Sequence, residues 1–381
     1  MARLGDIGKI VTGNTPKTSE SQNYTSNDIC FVKPSDIADG IVTCLNDSEF
    51  YISEYARAKA RILPPKSVLV TCIGIIGKVA INDVECAFNQ QINAIIPDNS
   101  KCLTEYLAYA IQNKQPEMQD VANAPVVPIL NKTQFSDIEI NLPSLTEQEE
   151  IVGKLNAASR LIALRKAQLA KLDQLDKSRF VELFGDIVLN PFNWEKEQLG
   201  MVCDVRDGTH DSPQYYETGY PLVTSKNVTG GKIDLTDCSL ICEADFNKIN
   251  ERSKVDIGDI IMPMIGTVGK PVIVDVEPNF AIKNVSLIKF KDHSRVLNIF
   301  IRALLQSDYF DEAVLSKVRG GTQKFISLGD IRKLAVIVPP MALQDQFAAF
   351  VEQTDKSKSA IQQSLDKLET LKKSLMQEYF G

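Results

Sequence analysis

The sequence predicts an α+β fold in which two similar globular domains of mixed α and β structure are separated by two long helices forming an antiparallel coiled coil. Three observations predict it. The chain of 381 residues repeats itself with a period near half its length, which indicates a duplicated module and not a solenoid of short repeats. Short β-rich runs separated by turn residues fill each half, and a long helical pattern closes each half.

The repeat is clearest where each half ends. Residues 142–185 begin Leu-Pro and end Phe-Gly, and residues 338–381 begin Val-Pro and end Phe-Gly, at an offset of 196 (338 minus 142). Upstream, residues 31–40 match residues 222–231, and the stretch 73–78 matches 265–270. Glycines and apolar positions agree while many polar residues differ. The repeat therefore predicts one scaffold, related to its copy by a pseudo-two-fold axis, that carries two different surfaces.

These landmarks divide the chain into four segments. We predict globular domains at 1–141 and 191–337, a long helix with its linker at 142–190, and a second long helix at 338–381. The formal net charge is -7. An acidic balance argues against tight unaided binding to DNA, although a basic face can lie on an acidic body.

Composition also bounds the location and the cofactors. No apolar run approaches the ~18–20 residues that span a bilayer, and the repeat begins at the N-terminus, which predicts that no signal peptide precedes it. The eight cysteines do not follow the repeat, so we expect free thiols in a reducing cytoplasm and no membrane partner. With only two histidines, we expect no metal site.

The two long helices carry heptad-like apolar seams. Thr146 offers a side-chain acceptor for the start of the first helix. The seam comprises Leu155, Ile162, Leu169 and Leu172 in the first helix and Val351, Ile361, Leu365 and Leu368 in the second. Neither helix can bury its stripe alone, so we predict that the two pair. The alternative is that each helix packs on its own module. A paired rod would be a rigid spacer, which suits a bipartite site on a duplex.

The modules show matched elements but no catalytic set. Residues 68–73 and 260–265 are predicted buried strands, and 105–111 and 298–305 are predicted helices. The following turns, Gly74–Lys78 and Gly266–Lys270, have too short a gap between glycines for a phosphate-cradling P-loop. We interpret them as tight turns whose lysine is available to a backbone phosphate. Because no nucleophile, base or metal cluster stands out, we expect that the chain performs no chemistry.

Several motifs resemble one known family along the whole length of the chain. Asp207-Gly208-Thr209-His210-Asp211-Ser212-Pro213, followed by Gly219-Tyr220-Pro221 and Thr224-Ser225-Lys226-Asn227-Val228, resembles a target-recognition domain of the DNA-specificity subunit of type I restriction-modification systems. The turn 266–270, Gly321-Thr322-Gln323 and the proline-led start of each long helix are similar to that family too. The first module departs more, because Gly13-Asn14-Thr15-Pro16 is a shorter opening loop.

The resemblance implies a recognition subunit that is not an enzyme. Two target-recognition domains would each read one half of a split double-stranded DNA sequence, and the coiled coil would set the spacer. Two methyltransferase subunits would dock on the chain and bind S-adenosylmethionine, so this chain would need no cofactor. A motor and nuclease subunit would join for restriction. The alternative is a scaffold whose paired modules bind proteins through a coiled-coil rod; steep salt dependence of duplex binding would distinguish the two.

Candidate DNA contacts fall into three groups. Lysines in or beside recurring turns are candidate phosphate contacts: Lys17, Lys33, Lys78, Lys226, Lys270 and Lys324. Amides suited to adenine edges are candidate base contacts: Asn89, Gln90, Asn227, Asn284 and Gln323. Thr209 and His210 lie in the opening loop of the second module. The alternatives are solvated surface lysines, amides that bond within loops, and a histidine that caps its loop. Tyr215 and Tyr216 are candidates either for stacking or for packing, and of the two we expect core packing.

Overall fold

The computed structural model describes residues 1–122, 127–265, 269–291, 293–314 and 325–381. The chain folds into two compact units. Unit 1 comprises Met1–Lys166 together with Gln363–Gly381, and unit 2 comprises Ala167–Gln362. Each unit therefore contains one globular part and segments of both long helices.

Unit 1, in its described residues, is built from short strands and four short helices. The strands are β1 (Ala2–Arg3), β2 (Gly8–Thr12), β3 (Ile29–Val32), β4 (Val42–Leu45), β5 (Tyr51–Ile52), β6 (Ile62–Leu63), β7 (Val68–Thr71), β8 (Val79–Asn82), β9 (Cys86–Phe88), β10 (Ile92–Pro97) and β11 (Glu139–Ile140). The helices are α1 (Leu4–Ile7), α2 (Thr104–Asn113), α3 (Gln115–Val121) and α4 (Lys132–Asp137), followed by the long α5 (Leu145–Phe184). Single 3₁₀ turns lie at Ser21–Tyr24, Pro34–Asp36 and Glu54–Lys59.

The strands of unit 1 form two main sheets. The five-stranded sheet has the order β2-β10-β7-β8-β4, the four-stranded sheet has the order β5-β3-β9-β6, and β1 pairs with β11. All four residues of β7 are buried, as expected for a strand covered on both faces. Helix α2 packs its apolar side, including Tyr106 and Leu107, into the same core.

Unit 2 repeats this plan with different lengths. Its strands are β12 (Glu195–Gln198), β13 (Asp204–Asp207), β14 (Tyr220–Val223), β15 (Val228–Thr229), β16 (Lys232–Ile233), β17 (Ser239–Ile241), β18 (Ile260–Pro263), β19 (Val272–Ile273), β20 (Ala281–Ile282), β21 (Val285–Lys289) and β22 (Ala335–Val338). Its helices are α6 (Leu199–Val202), α7 (Glu243–Ser253), α8 (Asn298–Leu305), α9 (Asp308–Ala313), α10 (Leu328–Lys333) and the long α11 (Met341–Phe380). A 3₁₀ turn lies at Ser225–Asn227.

The sheet order of unit 2 matches that of unit 1. Its four-stranded sheet, β13-β21-β18-β19, has the order of β2-β10-β7-β8, and β12 pairs with β22 as β1 pairs with β11. In the second sheet, β14 is parallel to β20 and antiparallel to β17, just as β3 is parallel to β9 and antiparallel to β5. This correspondence confirms the predicted internal repeat. The modules differ where α7 replaces the 3₁₀ turn at Glu54–Lys59.

The predicted turn after β7 is present and depends on glycine. Gly74 and Gly77 have φ values of +77° and +84°, in the left-handed region that glycine tolerates best. The Gly77 amide donates to the Thr71 carbonyl at 2.9 Å and closes the turn between β7 and β8. The turn in unit 2 includes residues 266–268, which lie outside the described residues.

The first long helix begins with a different cap from the one expected. Ser144, and not Thr146, holds the helix N-terminus: its Oγ accepts from the Glu147 amide at 3.4 Å, while the Glu147 carboxylate accepts from the Ser144 amide at 2.9 Å. This reciprocal arrangement is a capping box. Thr146 lies within the first turn of α5, because the helix begins at Leu145, two residues earlier than a Thr146 cap would require.

Within unit 1, α5 and the end of α11 run antiparallel. Lys154 Nζ donates to the Tyr379 hydroxyl at 3.0 Å, and Lys166 lies 2.9 Å from Glu369 further along the pair. Phe380 packs on the Tyr106 ring with a centroid distance of 5.2 Å. The last turn of α11 thus completes a core whose other residues come from the first part of the chain.

Within unit 2, the other halves of α5 and α11 are antiparallel as well. Lys358 lies 2.7 Å from Asp173 and 2.6 Å from Asp176. Burial opposes the charge on Lys358, yet its hydrogen bonds to both carboxylates prevail and raise its pKa. Four rings, those of Phe180, Phe184, Phe300 and Phe347, pack with centroid distances from 4.8 to 5.6 Å.

The eight residues predicted for the helix seam lie at intermediate or buried positions. Leu155, Val351 and Leu365 are buried. The other five are partly exposed: Ile162, Leu169, Leu172, Ile361 and Leu368. None of the described helices is long and apolar enough to cross a membrane. The eight cysteines, all within the described residues, are free.

Candidate nucleic-acid interface

In each unit an opening loop follows the edge strand of the main sheet, β2 in unit 1 and β13 in unit 2. It approaches the loop that precedes the neighbouring strand of that sheet, β10 or β21. In unit 1, the Gly13 amide donates to the Ile92 carbonyl at 3.1 Å and the Asn14 amide to the Phe88 carbonyl at 3.0 Å. In unit 2, the Gly208 and Thr209 amides donate to the carbonyls of Val285 and Ile282, each at 3.0 Å. The same backbone plan therefore serves both loops, although their lengths differ.

Glycine is required where each loop makes this approach. A Cβ on Gly13 would lie 2.1 Å from the Asn89 carbonyl oxygen, and one on Gly208 would lie 2.4 Å from the Ile282 oxygen. Any side chain would push the loop away from the strand ends, since neither obstacle is a flexible side chain. The two glycines thus explain why this position recurs in the repeat.

In unit 1 the opening loop contacts Gln90 and is tied to the 3₁₀ region. Thr15 Oγ donates to Gln90 Oε1 at 2.7 Å in an exposed part of the surface. Asn14 donates to the Lys59 carbonyl at 2.7 Å and accepts from the Arg61 amide at 2.8 Å. The loop is therefore held on both sides while its tip faces solvent.

In unit 2 the opening loop is anchored by a buried carboxylate. Asp207, whose side chain is 9% exposed, contacts Arg252 through one oxygen and His210 Nε2 at 2.9 Å through the other. His210 Nδ1 lies 2.9 Å from Asn284 Oδ1. Its hydrogen bonds to Asn284 and then to Asp207 raise the pKa of His210, which favours the imidazolium.

A cleft of about 400 Å³ opens beside this loop. One wall is the loop itself, and the other is the exposed side of α7, which contributes Asp245, Lys248 and Arg252. Lys283 also joins the loop, because its amine donates to Ser212 Oγ at 2.8 Å. Cations and hydrogen-bonding groups at a loop tip are suited to phosphate and base contacts.

The structure separates the five candidate amides. Gln90 is exposed and Asn284 partly exposed, in corresponding loops of the two units. Asn89 and Asn227 are 6% and 3% exposed; Asn89 bonds with Gln91, and Asn227 with Thr224 and the Asp237 carbonyl. The side chains of Asn89 and Asn227 thus stabilise turns within their own units. Gln323 lies outside the described residues.

The candidate lysines differ in how freely their amines face solvent. Lys17, Lys226 and Lys270 are exposed, and Lys226 lies 3.5 Å from Asp237. Lys33 and Lys78 are partly buried, and the Lys33 amine stacks on the Phe50 ring. Lys324 lies outside the described residues.

Two sequence expectations near this surface were incomplete. Tyr215 and Tyr216 are 51% and 44% exposed, so the expected core packing was wrong. They follow the loop across the surface, where an isolated bridge joins Tyr216 to Leu240.

Two residues of this surface, Arg252 and Lys283, were not predicted from the sequence. Arg252 is 45 positions from the carboxylate that it contacts, and no local pattern could reveal that pairing. Lys283 is adjacent in the sequence to the candidate Asn284, and that proximity is the signal that could have indicated it.

Fold and site together define a class of protein with two related recognition modules that differ at their binding loops. No group of three or more His, Cys, Asp or Glu residues arranged for a metal occurs in the described part of the chain. A family model described as "Type I restriction modification DNA specificity domain" matches residues 1–174 and 191–371. The chain belongs to this family, the non-catalytic DNA-specificity subunits of type I restriction-modification systems.

Individual relatives agree with this assignment. The chain is 27% identical over 382 residues to the type I restriction enzyme MjaIX specificity subunit of Methanocaldococcus jannaschii, covering 92% of this chain and 85% of the relative. It is 21% identical to the EcoKI specificity subunit of Escherichia coli, covering 100% of this chain and 88% of the relative. The HindI specificity subunit of Haemophilus influenzae is 33% identical over 38% of this chain and 32% of the relative.

Solved structures show the same fold. The S subunit of a type I restriction-modification system from M. genitalium aligns with a TM-score of 0.60 at 14% identity, covering 100% of this chain and 95% of that chain. A chain from work on complex assembly and conformational transition of the type I R-M system aligns with a TM-score of 0.55 at 18% identity, covering 100% and 96%. These structures confirm the predicted fold class, and the family model confirms the predicted family.

Proposed function

We propose that the chain reads a bipartite double-stranded DNA target, with one target-recognition domain per half-site. The domains are assigned to 1–141 and 191–337, and the helical segments to 142–190 and 338–381. The observation that carries this proposal is the pair of matching sheets that present different opening loops, Gly13–Pro16 in unit 1 and Gly208–Pro213 in unit 2. A shared scaffold with two dissimilar loops is the arrangement expected for reading an asymmetric split sequence.

The DNA contacts that we propose follow the exposure of the candidate side chains. Gln90, Asn284, Thr209 and His210 are the proposed base-reading or base-orienting residues of the loop tips. The proposed phosphate contacts are the lysines Lys17, Lys33, Lys78, Lys226 and Lys270, together with Lys283. Phosphate contacts position a protein on the duplex, whereas base-edge contacts specify the sequence. The net charge of -7 is compatible with this division, because partner subunits can share the phosphate affinity.

The paired helices are proposed to set the spacer between the half-sites. Both units contain residues of both long helices, and in each unit the two segments are antiparallel. Leu155, Ile162, Leu169, Leu172, Val351, Ile361, Leu365 and Leu368 are the proposed seam. A continuous helix rises by ~1.5 Å per residue and bends little, so its length is a suitable measure of separation along DNA.

Partner subunits supply the chemistry in this proposal. Two methyltransferase subunits dock on the chain, one for each copy of the repeat, and bind the S-adenosylmethionine; a motor and nuclease subunit joins them for restriction. The proposed location is the cytoplasm, where reduced thiols are the rule and where all eight cysteines of the chain would remain free, as they are in the structure.

The experiment is methylation mapping in a host without adenine methylation. The chain is co-expressed with its cognate methyltransferase, and methyladenine is mapped at single-base resolution. We expect a split motif that disappears when the chain is omitted. An unmodified genome, with the same methyltransferase active beside another specificity chain, would contradict the proposal and favour the protein-binding scaffold.

Salt titration of duplex binding separates phosphate contacts from the rest. Lys270→Ala should reduce the slope of log K against log salt by about 1 and weaken all sequences equally. Lys171→Ala, at an exposed position of α5 outside the loops, is the matched control and should leave the slope unchanged. Equal slopes for wild type and Lys270→Ala would remove this lysine from the proposed contacts.

A further inference from the structure

The two units share a side-chain device at equivalent positions. In unit 1 the Thr15 hydroxyl donates to Gln90 Oε1 at 2.7 Å. In unit 2 His210 Nδ1 lies 2.9 Å from Asn284 Oδ1. Thr15 is the second residue after Gly13, and His210 is the second after Gly208. In both units a side chain from the opening loop therefore lies within hydrogen-bond distance of the oxygen of an amide that comes from the facing loop. In unit 1 the donor is the Thr15 hydroxyl, and in unit 2 the direction depends on the protonation of His210.

The free end of each amide points away from this bond. Among the described residues, the Gln90 Nε2 and Asn284 Nδ2 groups have no hydrogen-bond partner in the protein. Asn284 itself sits at a φ of +56°, a left-handed conformation that asparagine tolerates better than most residues. Its backbone amide donates to the Thr209 carbonyl at 3.2 Å, so both its main chain and its side chain are fixed by the opening loop.

The backbone that delivers this clamp is common to both units while the side chains are not. Gly13 and Gly208 both pack against carbonyl oxygens that a Cβ would meet at 2.1 and 2.4 Å. Thr is replaced by His, and Gln by Asn, yet the oxygen is held in both cases. Two different donor and amide pairs at one structural position are difficult to explain as loop packing alone.

We propose that Thr15 and His210 are positioning residues that hold the amides of Gln90 and Asn284 with the oxygen inward and the NH₂ group outward, towards a base edge. This inference rests on the proposed DNA-reading function and deepens it. An outward NH₂ is a donor, so each clamp selects a base that presents an acceptor in the major groove, such as O6 or N7 of guanine or O4 of thymine. An unclamped amide would instead be able to engage adenine through both of its ends.

The clamp of unit 2 depends on the protonation of His210, and that of unit 1 does not. A carboxylate accepts only, so Asp207 takes a hydrogen bond from the protonated Nε2. Nδ1 then carries a second proton only in the imidazolium, which can donate to Asn284 Oδ1. In neutral histidine Nδ1 accepts, and the amide must turn to offer its NH₂ inward and its oxygen outward. Deprotonation of His210 thus replaces the outward-facing NH₂ donor of Asn284 with the outward-facing amide oxygen, which is an acceptor.

The groups facing His210 favour the protonated form. Asn284 and Asp207 both bond its ring; these bonds raise its pKa, while burial and Arg252 lower it. Further charges around the loop are Asp211 on the loop itself, Asp245 and Lys248 on α7, and Lys283 beside Asn284. Because the pKa is raised, the donor form prevails below it and is lost as the pH rises through it.

The test is enrichment of a randomised duplex library by the full chain with its cognate methyltransferase. Thr15→Val removes the hydroxyl at nearly constant volume, and Thr15→Ser keeps it. We expect Thr15→Val to relax the preference at one base pair of a single half-site by about tenfold. Thr15→Ser should retain the wild-type motif, and the other half-site should be unchanged in both variants. Thermal melting of each variant, equal to wild type, shows that the fold is intact.

The pH dependence of the enriched motif tests the role of His210, because a purely structural histidine would not change the base preference with pH. Between about pH 5.5 and 8.5, a range that contains the titration of most histidines, one base pair of the unit 2 half-site should exchange its preference from an acceptor-bearing to a donor-bearing base. The base preference at the clamped base pair of the unit 1 half-site should stay the same over this pH range, which controls for general effects of protein charge. His210→Gln, which lacks the titration, should abolish the pH response.

Three outcomes bear directly on the inference. If Gln90→Ala changed the motif while Thr15→Val left it intact, Gln90 would read DNA without being positioned, and the clamp would be rejected. A motif independent of pH in the wild type would reject the exchange at Asn284. A wild-type complex that enriches no split motif would instead refute the proposed function itself, so the two failures are distinguishable.

Discussion

Asp259 and Lys289 form a buried ion pair that joins strand β21 of unit 2 to the loop between α7 and β18. The Lys289 amine lies 2.5 Å from Asp259 and 2.8 Å from Asp256, and it donates to the Lys254 carbonyl at 3.0 Å. Asp259 is 4% exposed. Burial raises its pKa, and the hydrogen bond from Lys289 works in the opposite direction. The carboxylate is thus tolerated because a cation is held beside it.

Removing the cation should destabilise unit 2. Lys289→Met leaves the carboxylate buried and unpaired, which we expect to cost about 3 kcal/mol in the free energy of unfolding measured with urea. The deficit should shrink as the pH falls, since an unpaired Asp259 with a raised pKa takes up its proton more readily folded than unfolded. Lys254→Met is the control: its side chain is 72% exposed and its amine lies 3.8 Å from Asp256, so its effect should stay within ~0.5 kcal/mol. Equal losses of unfolding free energy in Lys289→Met and Lys254→Met would show that the buried pair of Asp259 and Lys289 is not the source of the stabilisation.

At this scale the sequence indicates side-chain chemistry but not exposure. Asn89, Gln90, Asn227 and Asn284 have equally suitable amides, and only the turn geometry decides that two are internal while two face solvent. The Asp207–Arg252 contact depends on α7, which has no helical counterpart in the described part of unit 1 beyond a 3₁₀ turn. The repeat could therefore predict where a loop lies, but not which groups meet there.

A buried glutamine joins each long helix to the globular part of its unit. Gln148 accepts from the Leu103 amide at 2.8 Å and donates to the carbonyls of Lys101 and Pro143 at 3.0 and 2.9 Å. Gln344 makes the corresponding bonds to Leu297, Arg295 and Pro339 at 2.8, 2.9 and 2.8 Å. Leu103 and Leu297 are the N-cap residues of α2 and α8. Each glutamine side chain thus bonds main-chain groups at the start of a second helix, α2 or α8. It also bonds the turn that precedes the long helix on which it lies.

Replacing either glutamine by leucine should leave three main-chain groups without their partner. We expect Gln148→Leu and Gln344→Leu each to lower the unfolding free energy by about 2–3 kcal/mol, since each buried group left unsatisfied costs roughly 1–3 kcal/mol and water can reach some of them. Urea denaturation measures the loss. Gln346→Leu, an exposed position two residues from Gln344, is the matched control and should be close to neutral. A loss as large in Gln346→Leu would point to helix propensity or solubility, and not to these bonds.

The recurrence of Gln148 and Gln344 was visible in the sequence, whereas their role was not. A repeated polar residue near the start of two helices is compatible with solvent exposure, with capping and with burial. Only packing shows that each glutamine is 0% exposed. The same limit explains the misplaced cap: Ser144 and Thr146 are both good N-cap residues, and each is followed three positions later by a glutamate, Glu147 or Glu149. Only the structure shows that the Ser144–Glu147 pair forms the cap.

For the whole molecule, neither unit consists of a globular domain and one helix alone. The core of unit 1 is completed by Phe380 from the end of α11, and that of unit 2 by Phe180 and Phe184 from α5. The sequence predicted two modules and two long helices from periodicity and landmarks. It could not predict that the last turn of the chain packs on Tyr106, because apolar residues at a helix end do not reveal which core they enter.

The proposed spacer role makes a prediction about helix length. Seven residues are inserted into α5 after Leu172 and seven into α11 after Ala360, in both helices between the Asp173–Lys358 pair and the segment that belongs to unit 1. A full heptad keeps the apolar seam on the same face and adds about 10 Å to each helix at ~1.5 Å per residue. We expect both half-sites to keep their sequences while the spacer lengthens, on the order of three base pairs at ~3.4 Å each.

Methyladenine mapping of the insertion variant with its cognate methyltransferase measures both quantities at once. Inserting the heptad in α5 alone breaks the pairing register and should reduce methylation, which tests whether the helices act as a pair. Substituting seven exposed residues without changing the length should leave the motif as in wild type. If the longer rod changed the half-sites and kept the spacer, base reading would depend on the helices. The separation would then have to be set within the globular domains, where the opening loops of the two units differ in length.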